Sequence, residues 1–148
     1  MPAIEHGRWW TADEARQLQQ EDRGWPRYEV IDGELLVTPG ASWHHQSVSG
    51  AFYRRIWAYV NEHRLAVEVL YSPADVQLKP GTLVQPDVFA FPKGKRRAGK
   101  WSDVTSLLLA IEIISPGSVR YDRVTKKRFF QDNECFRVLD CGLSRPCG

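Results

Sequence analysis

The sequence predicts an α/β domain with a mostly covered sheet. Three observations carry this. An Asp-Gly pair, Asp32-Gly33, joins two short alternating runs. A nearly continuous apolar run, "LLLAIEII", reads as a central strand covered on both faces. The order of patterns is hairpin, helix, three strands, helix, as in a layered α/β domain.

"WTADEARQLQQ" has Thr11 at a cap position and Glu14 three residues on, a capping box that predicts a helix over Ala12–Gln20. "DRGWP" ends it. The Asp-Gly turn predicts a hairpin of Tyr28–Ile31 and Glu34–Val37. In "HHQSVSGAFYRRIWAYVNEHR", Val48, Phe52, Ile56, Tyr59 and Val60 recur at helical spacing and form one apolar stripe. Strand candidates follow in "AVEVLYSPADVQL", "LVQPDVFAF" and "LLLAIEII", and "YDRVTKKRFFQ" reads as a last helix.

The 148 residues suit one domain. Hydrophobic residues are 43% and charged residues 26%, the balance of an ordinary globular protein. No apolar run nears the roughly 20 residues of a membrane span, and "MPAIEHGRWW" lacks the basic start and apolar stretch of a signal peptide. A cytoplasmic protein is expected. The net charge of +2 selects no partner, but its distribution is uneven. Lys93, Lys95, Arg96, Arg97 and Lys100 share one Gly-punctuated loop, and Arg120, Arg123, Lys126, Lys127 and Arg128 follow later. Such clusters can hold phosphates or can simply be solvated faces. Cys135, Cys141 and Cys147 lack histidines at zinc-site spacing, so a metal site there is not expected.

Two acids interrupt otherwise apolar strands. Glu112 follows Leu107–Ile111 and precedes Ile113 and Ile114. An ionised acid there costs several kcal/mol unless a cation, a metal or hydrogen bonds compensate. Asp87 follows Pro86, and proline in a strand marks a start, an edge or a bulge that re-aims side chains. Each acid alone could be a strand-end or ion-paired group. Together on neighbouring strands they make a hard-oxygen pocket suited to Mg²⁺ or Mn²⁺.

A Pro-Asp on one strand with an acid on the next resembles the PD-(D/E)XK nuclease superfamily. "RYEVIDGELLV", "SWHHQ", "VQPDVFAF" and "AIEIISPGSVRYDRVTKKRFFQ" together resemble the Uma-two-type family of restriction-endonuclease-like proteins, in order and spacing, over about residues 8 to 131. The resemblance implies a restriction-endonuclease-like core: a central mixed sheet flanked by helices, with an N-terminal helix and hairpin. It implies Asp87 and Glu112 as metal-binding acids, Glu34 of the "DGE" as a third acidic group, and His45 as an accessory residue. The superfamily lysine two residues after the second acid is here Ile114. In the resembling family it comes from the next helix, which places it at Lys126. The helical wheel agrees in part: Lys126 falls between Phe129 and Phe130, so its stem could cross the apolar layer toward the acids or snorkel to solvent.

The implied activity is metal-assisted phosphodiester hydrolysis of nucleic acid, DNA first, with Mg²⁺ or Mn²⁺ as cofactor. Lys95, Arg96, Arg97, Arg120 and Arg123 would hold the backbone without reading sequence, and a homodimer is possible. The competing readings are an inactive nucleic-acid-binding remnant and a protein-interaction module with structural acids.

After Gln131 the chain departs from the family pattern of a Gly-Val-Pro-Glu-Tyr-Trp-like strand and then Val-Asp. "FRVLDCGL" can be encoded by TTC CGA GTA CTG GAT TGT GGA CTC. Read one base later, those codons give Ser-Glu-Tyr-Trp-Ile-Val-Asp. We therefore read residues 1–132 as a single nuclease-like domain with an incomplete core, and 133–148 as an aberrant tail from a frameshift near Asn133. The last core strand is expected to be missing, or replaced by a short strand from "CFRVL".

Overall fold

The structure is a computed structural model that describes residues 3–4, 7–22, 26–38, 40–94, 99–114, 120–133 and 137–142. Helix α1 (Ala12–Glu21) starts at the Thr11–Glu14 capping box, in which each residue satisfies the other's backbone N–H. Strands β2 (Arg27–Ile31) and β3 (Glu34–Thr38) form the hairpin, with Ile31 opposite Glu34 and Glu29 opposite Leu36. Asp32 and Gly33 both take positive φ, as a tight hairpin turn requires. A short strand β1 (Ala3–Ile4) adds to β3.

Helix α2 (Trp43–Glu62) begins at Ser42, whose side chain accepts the His45 backbone N–H at 3.1 Å. Val48, Phe52, Ile56 and Val60 face the core as the stripe predicts. Tyr59 does not: it is 56% exposed and stacks on His63 with ring centroids 4.0 Å apart. At 100° per residue it falls beside Val48 at the rim of the buried arc.

The second sheet runs β4 (Val67–Tyr71), β5 (Val88–Pro92), β6 (Leu109–Ile114), β7 (Arg137–Gly142). The first three are antiparallel and β7 is parallel to β6, so the sheet is mixed. The strand expected over "AVEVLYSPADVQL" stops at Tyr71; beyond Pro73, Val76 makes only an isolated bridge to Val84. The tail residues 137–142 take the replacement-strand position beside β6.

Helix α2 covers one face of this sheet through Val69, Val88, Ala90, Ile111 and Ile113. On the other face, Phe89, Phe91 and Ala110 pack with Ile31 and Leu36 of the hairpin and with Phe129 and Phe130 of helix α3 (Arg120–Asp132). Strand β5 is therefore apolar on both faces, as its unbroken "VFAF" requires. Tyr28, Val30 and Leu35 turn the hairpin's outer face to α1. The inner face, carrying residues 27, 29 and 31, closes over the end of the main sheet. No helix among the described residues is long and apolar enough to cross a membrane.

Candidate functional site

Asp87 sits just before β5 and is 2% exposed. Val88 pairs with Ile111, so Asp87 lies where the β5–β6 ladder ends, level with Glu112. Its Oδ2 accepts the backbone N–H of Ile113 at 2.7 Å, taking the place of a ladder carbonyl. Its Oδ1 accepts from Arg27 Nη1 at 2.8 Å and lies 3.3 Å from His45 Nε2. Burial alone would raise this carboxyl, but the His45 contact, the Arg27 charge and the Ile113 N–H outweigh it and hold Asp87 down at about 2. Arg27 also donates to the Gln85 carbonyl at 3.1 Å and to Ser72 Oγ at 3.3 Å. Burial opposes its charge, and Asp87, Glu29 and Glu112 more than restore it, so its pKa rises.

Lys126 brings α3 to the site. It is buried between Phe129 and Phe130, while Lys127 and Arg128 are exposed. Its Nζ stands 2.7 Å from Glu29 Oε2 and 3.4 Å from Glu112 Oε2. Glu29 is fully buried, and its Oε1 accepts the Gln85 backbone N–H at 2.7 Å. Glu112 keeps 15% side-chain exposure, while its Oε1 is buried with no hydrogen-bond partner among the described residues. Burial, with repulsion from Asp87 and Glu29, raises its carboxyl to about 8; the Lys126 ammonium offsets only part of this.

Asp87, Glu112, Lys126 and His45 thus meet in one place. The hairpin contributes an acid that the sequence reading did not name: Glu29 contacts Lys126, while Glu34 was expected as the third acidic group. Both face inward, but Glu34 opens β3 at the turn, opposite Ile31. Glu29 is two residues back along β2 from Ile31, about 7 Å nearer the Asp87 end. The sequence carried the signal in "RYEVI", an acid inside an apolar strand like Asp87 and Glu112. Alternation puts Arg27 on the same face as Glu29. Lys95, Arg96 and Arg97 lie outside the described residues; Arg120 and Arg123 lie on α3, with side chains outside the described set.

The charges decide what the site can accept. Among the described residues, three carboxyls, Glu29, Asp87 and Glu112, face two permanent cations, Arg27 and Lys126. Glu112 has a buried oxygen without a partner among the described residues and a strong hold on a proton, the state of an acid short of one positive charge. Asp87 and Glu112 are hard oxygen donors, so the donor set suits a divalent cation such as Mg²⁺. The described residues contain no cluster of three or more His, Cys, Asp or Glu side chains around one point, so water or substrate oxygens would complete any coordination.

The chain is similar in fold to a crystal structure described as a putative nuclease belonging to DUF820 from Anabaena variabilis ATCC 29413. The TM-score is 0.72 at 16% identity, covering 90% of this chain and 74% of that one. This shows that the two chains share a mixed α/β fold. No curated protein matches. A family model for Uma2, described as "Putative restriction endonuclease", matches residues 12–138. That span runs from α1 through both acids and Lys126 to the start of β7, and the chain belongs to the Uma2 family.

Proposed function

We propose that this protein is a divalent-metal-dependent endonuclease that hydrolyses phosphodiester bonds, with DNA as substrate. The observation that carries the reading is the charge deficit around Glu112, beside a carboxylate held ionised and a buried lysine. Mg²⁺ or Mn²⁺, held by Asp87 and Glu112, would lower the pKa of a bound water and polarise the scissile phosphate. Arg27, His45 and the Ile113 N–H fix the Asp87 carboxylate in one orientation. Glu29 anchors Lys126, whose ammonium would orient the attacking water and offset charge that builds on the phosphate. Lys95, Arg96, Arg97, Arg120 and Arg123 would grip the backbone. A cytoplasmic location and homodimeric assembly belong to the same proposal, as does the frameshift origin of the tail.

Incubation of supercoiled plasmid with the protein tests this. Nicking in Mg²⁺ or Mn²⁺, absent in EDTA and absent in Asp87→Ala and Glu112→Ala, is expected. One observation favours a second reading, a nucleic-acid-binding remnant without cleavage: both Asp87 oxygens are already engaged. Salt-sensitive binding without nicking, weakened by Arg96→Ala and Arg97→Ala, would establish that reading.

A further inference from the structure

A cleft of about 300 Å³ opens at Asp87 and His45, and the rest of its lining has no part in the hydrolytic chemistry. His45 and Asp87 line it together with Gln46, Gly50, Tyr53 and Tyr71. Its size is at the lower end of small-molecule sites, enough for one planar ring system rather than a duplex.

Gly50 is the first clue. It lies inside the 20-residue helix α2, where glycine costs about 1 kcal/mol relative to alanine. Close packing does not explain it. A β-carbon there would meet only Arg54 Nη1, at 3.2 Å, and no backbone. Gly50 lines the cleft and takes up none of its space with a side chain. Tyr53 and Tyr71 supply aromatic surface, edge to face with centroids 4.8 Å apart, and Tyr71 is 56% exposed. Gln46 adds an amide to the lining. His45 Nδ1 is buried without a partner among the described residues. Arg54 hangs over Gly50, exposed, with no acid paired to it among the described residues.

An aromatic wall, a few polar groups and an overhanging guanidinium fit an unstacked base and its phosphate. We infer that this cleft receives one unpaired base of the nucleic acid, adjacent to the phosphate presented to Asp87. It rests on the nuclease reading for the ligand being nucleic acid and for the phosphate at Asp87. The consequence is a preference: a base inside a duplex cannot enter the cleft without leaving its stack. Single strands and mismatched sites are therefore preferred over intact duplex.

The test needs no cleavage. An oligonucleotide carrying 2-aminopurine is titrated with the full chain in EDTA, as a single strand, as a duplex, and as a duplex with the probe base mismatched. Single strand is expected to bind at least tenfold tighter than duplex, with the mismatch between them. Gly50→Leu, which puts a side chain into the lining, and Tyr71→Ala, which removes exposed aromatic surface, each weaken single-strand binding about tenfold and leave duplex binding unchanged. Thermal melting checks that both variants fold, and Tyr71→Ala carries the test if Gly50→Leu does not. Equal binding of single strand and duplex, or single-strand binding unchanged in the folded variants, overturns the inference. If the preference appears without plasmid nicking, the cleft stands and the nuclease reading falls. If nicking appears without the preference, the reverse holds. Binding to no nucleic acid overturns both.

Discussion

Lys126 on α3 and Glu112 on β6 lie 3.4 Å apart across the layer between helix and sheet. The same ammonium is 2.7 Å from Glu29 on the hairpin, so one side chain ties three elements together. Removing one partner of a buried pair leaves the others uncompensated. Lys126→Met should cost about 3–5 kcal/mol in urea denaturation. Adding Glu29→Gln and Glu112→Gln should recover much of that loss, and no recovery would mean that Lys126 stabilises mainly by packing.

Arg27 and His45 both contact Asp87 Oδ1, but they differ in charge and reach. Arg27→Ala removes the charge-assisted bond and should destabilise the fold by about 2–4 kcal/mol. His45→Ala leaves Arg27 and the Ile113 N–H in place and should cost less stability. It should still lower the cleavage rate, by about tenfold or more, as the carboxylate loses one restraint. Melting curves and nicking rates on the two variants separate these effects.

The metal-free protein should lose stability as pH rises toward and through 8. Glu112 is raised from 4.5 to about 8, so between those values the folded state holds a proton that the unfolded state has released. The stabilisation is complete below about 4.5 and is lost on passing 8. Asp87 has the opposite sign. Lowered from 3.8 to about 2, it stabilises above 3.8 and loses that contribution as pH falls through 2. Urea midpoints measured in EDTA between pH 5 and pH 9 should fall, and Glu112→Gln should flatten the trend. A rising wild-type midpoint would contradict the assignment.

Strand β7 covers the edge of β6. Ending the chain after Asn133 removes it and leaves that edge of β6 unpaired, so aggregation should increase. A version with the reading frame restored near Asn133 should be more stable than this chain if the frameshift reading holds; equal midpoints would count against it.

The layers were legible because each rests on a local signal: the Thr11 capping box, the Asp32-Gly33 turn, and the α2 stripe. Asp87 and Glu112 stood out as acids in apolar strands, and the wheel position of Lys126 matched its burial. Glu29 carries the same signal as those acids, and Glu34 beside the turn competes with it. What separates the two is the hairpin's position over the sheet end, a tertiary relationship. Arg27 was hidden for another reason. Its burial depends on Asp87, 60 residues away, and no local pattern distinguishes it from an exposed strand arginine.

Calorimetric titration of the metal-free protein with Mn²⁺ tests the central claim most directly, because it asks whether Asp87 and Glu112 act as one cation site. A saturable site in the wild type that is lost in both Asp87→Ala and Glu112→Ala, with both variants still folded by circular dichroism, is the predicted result. Binding that survives in either folded variant, or no binding by the folded wild type, would contradict it.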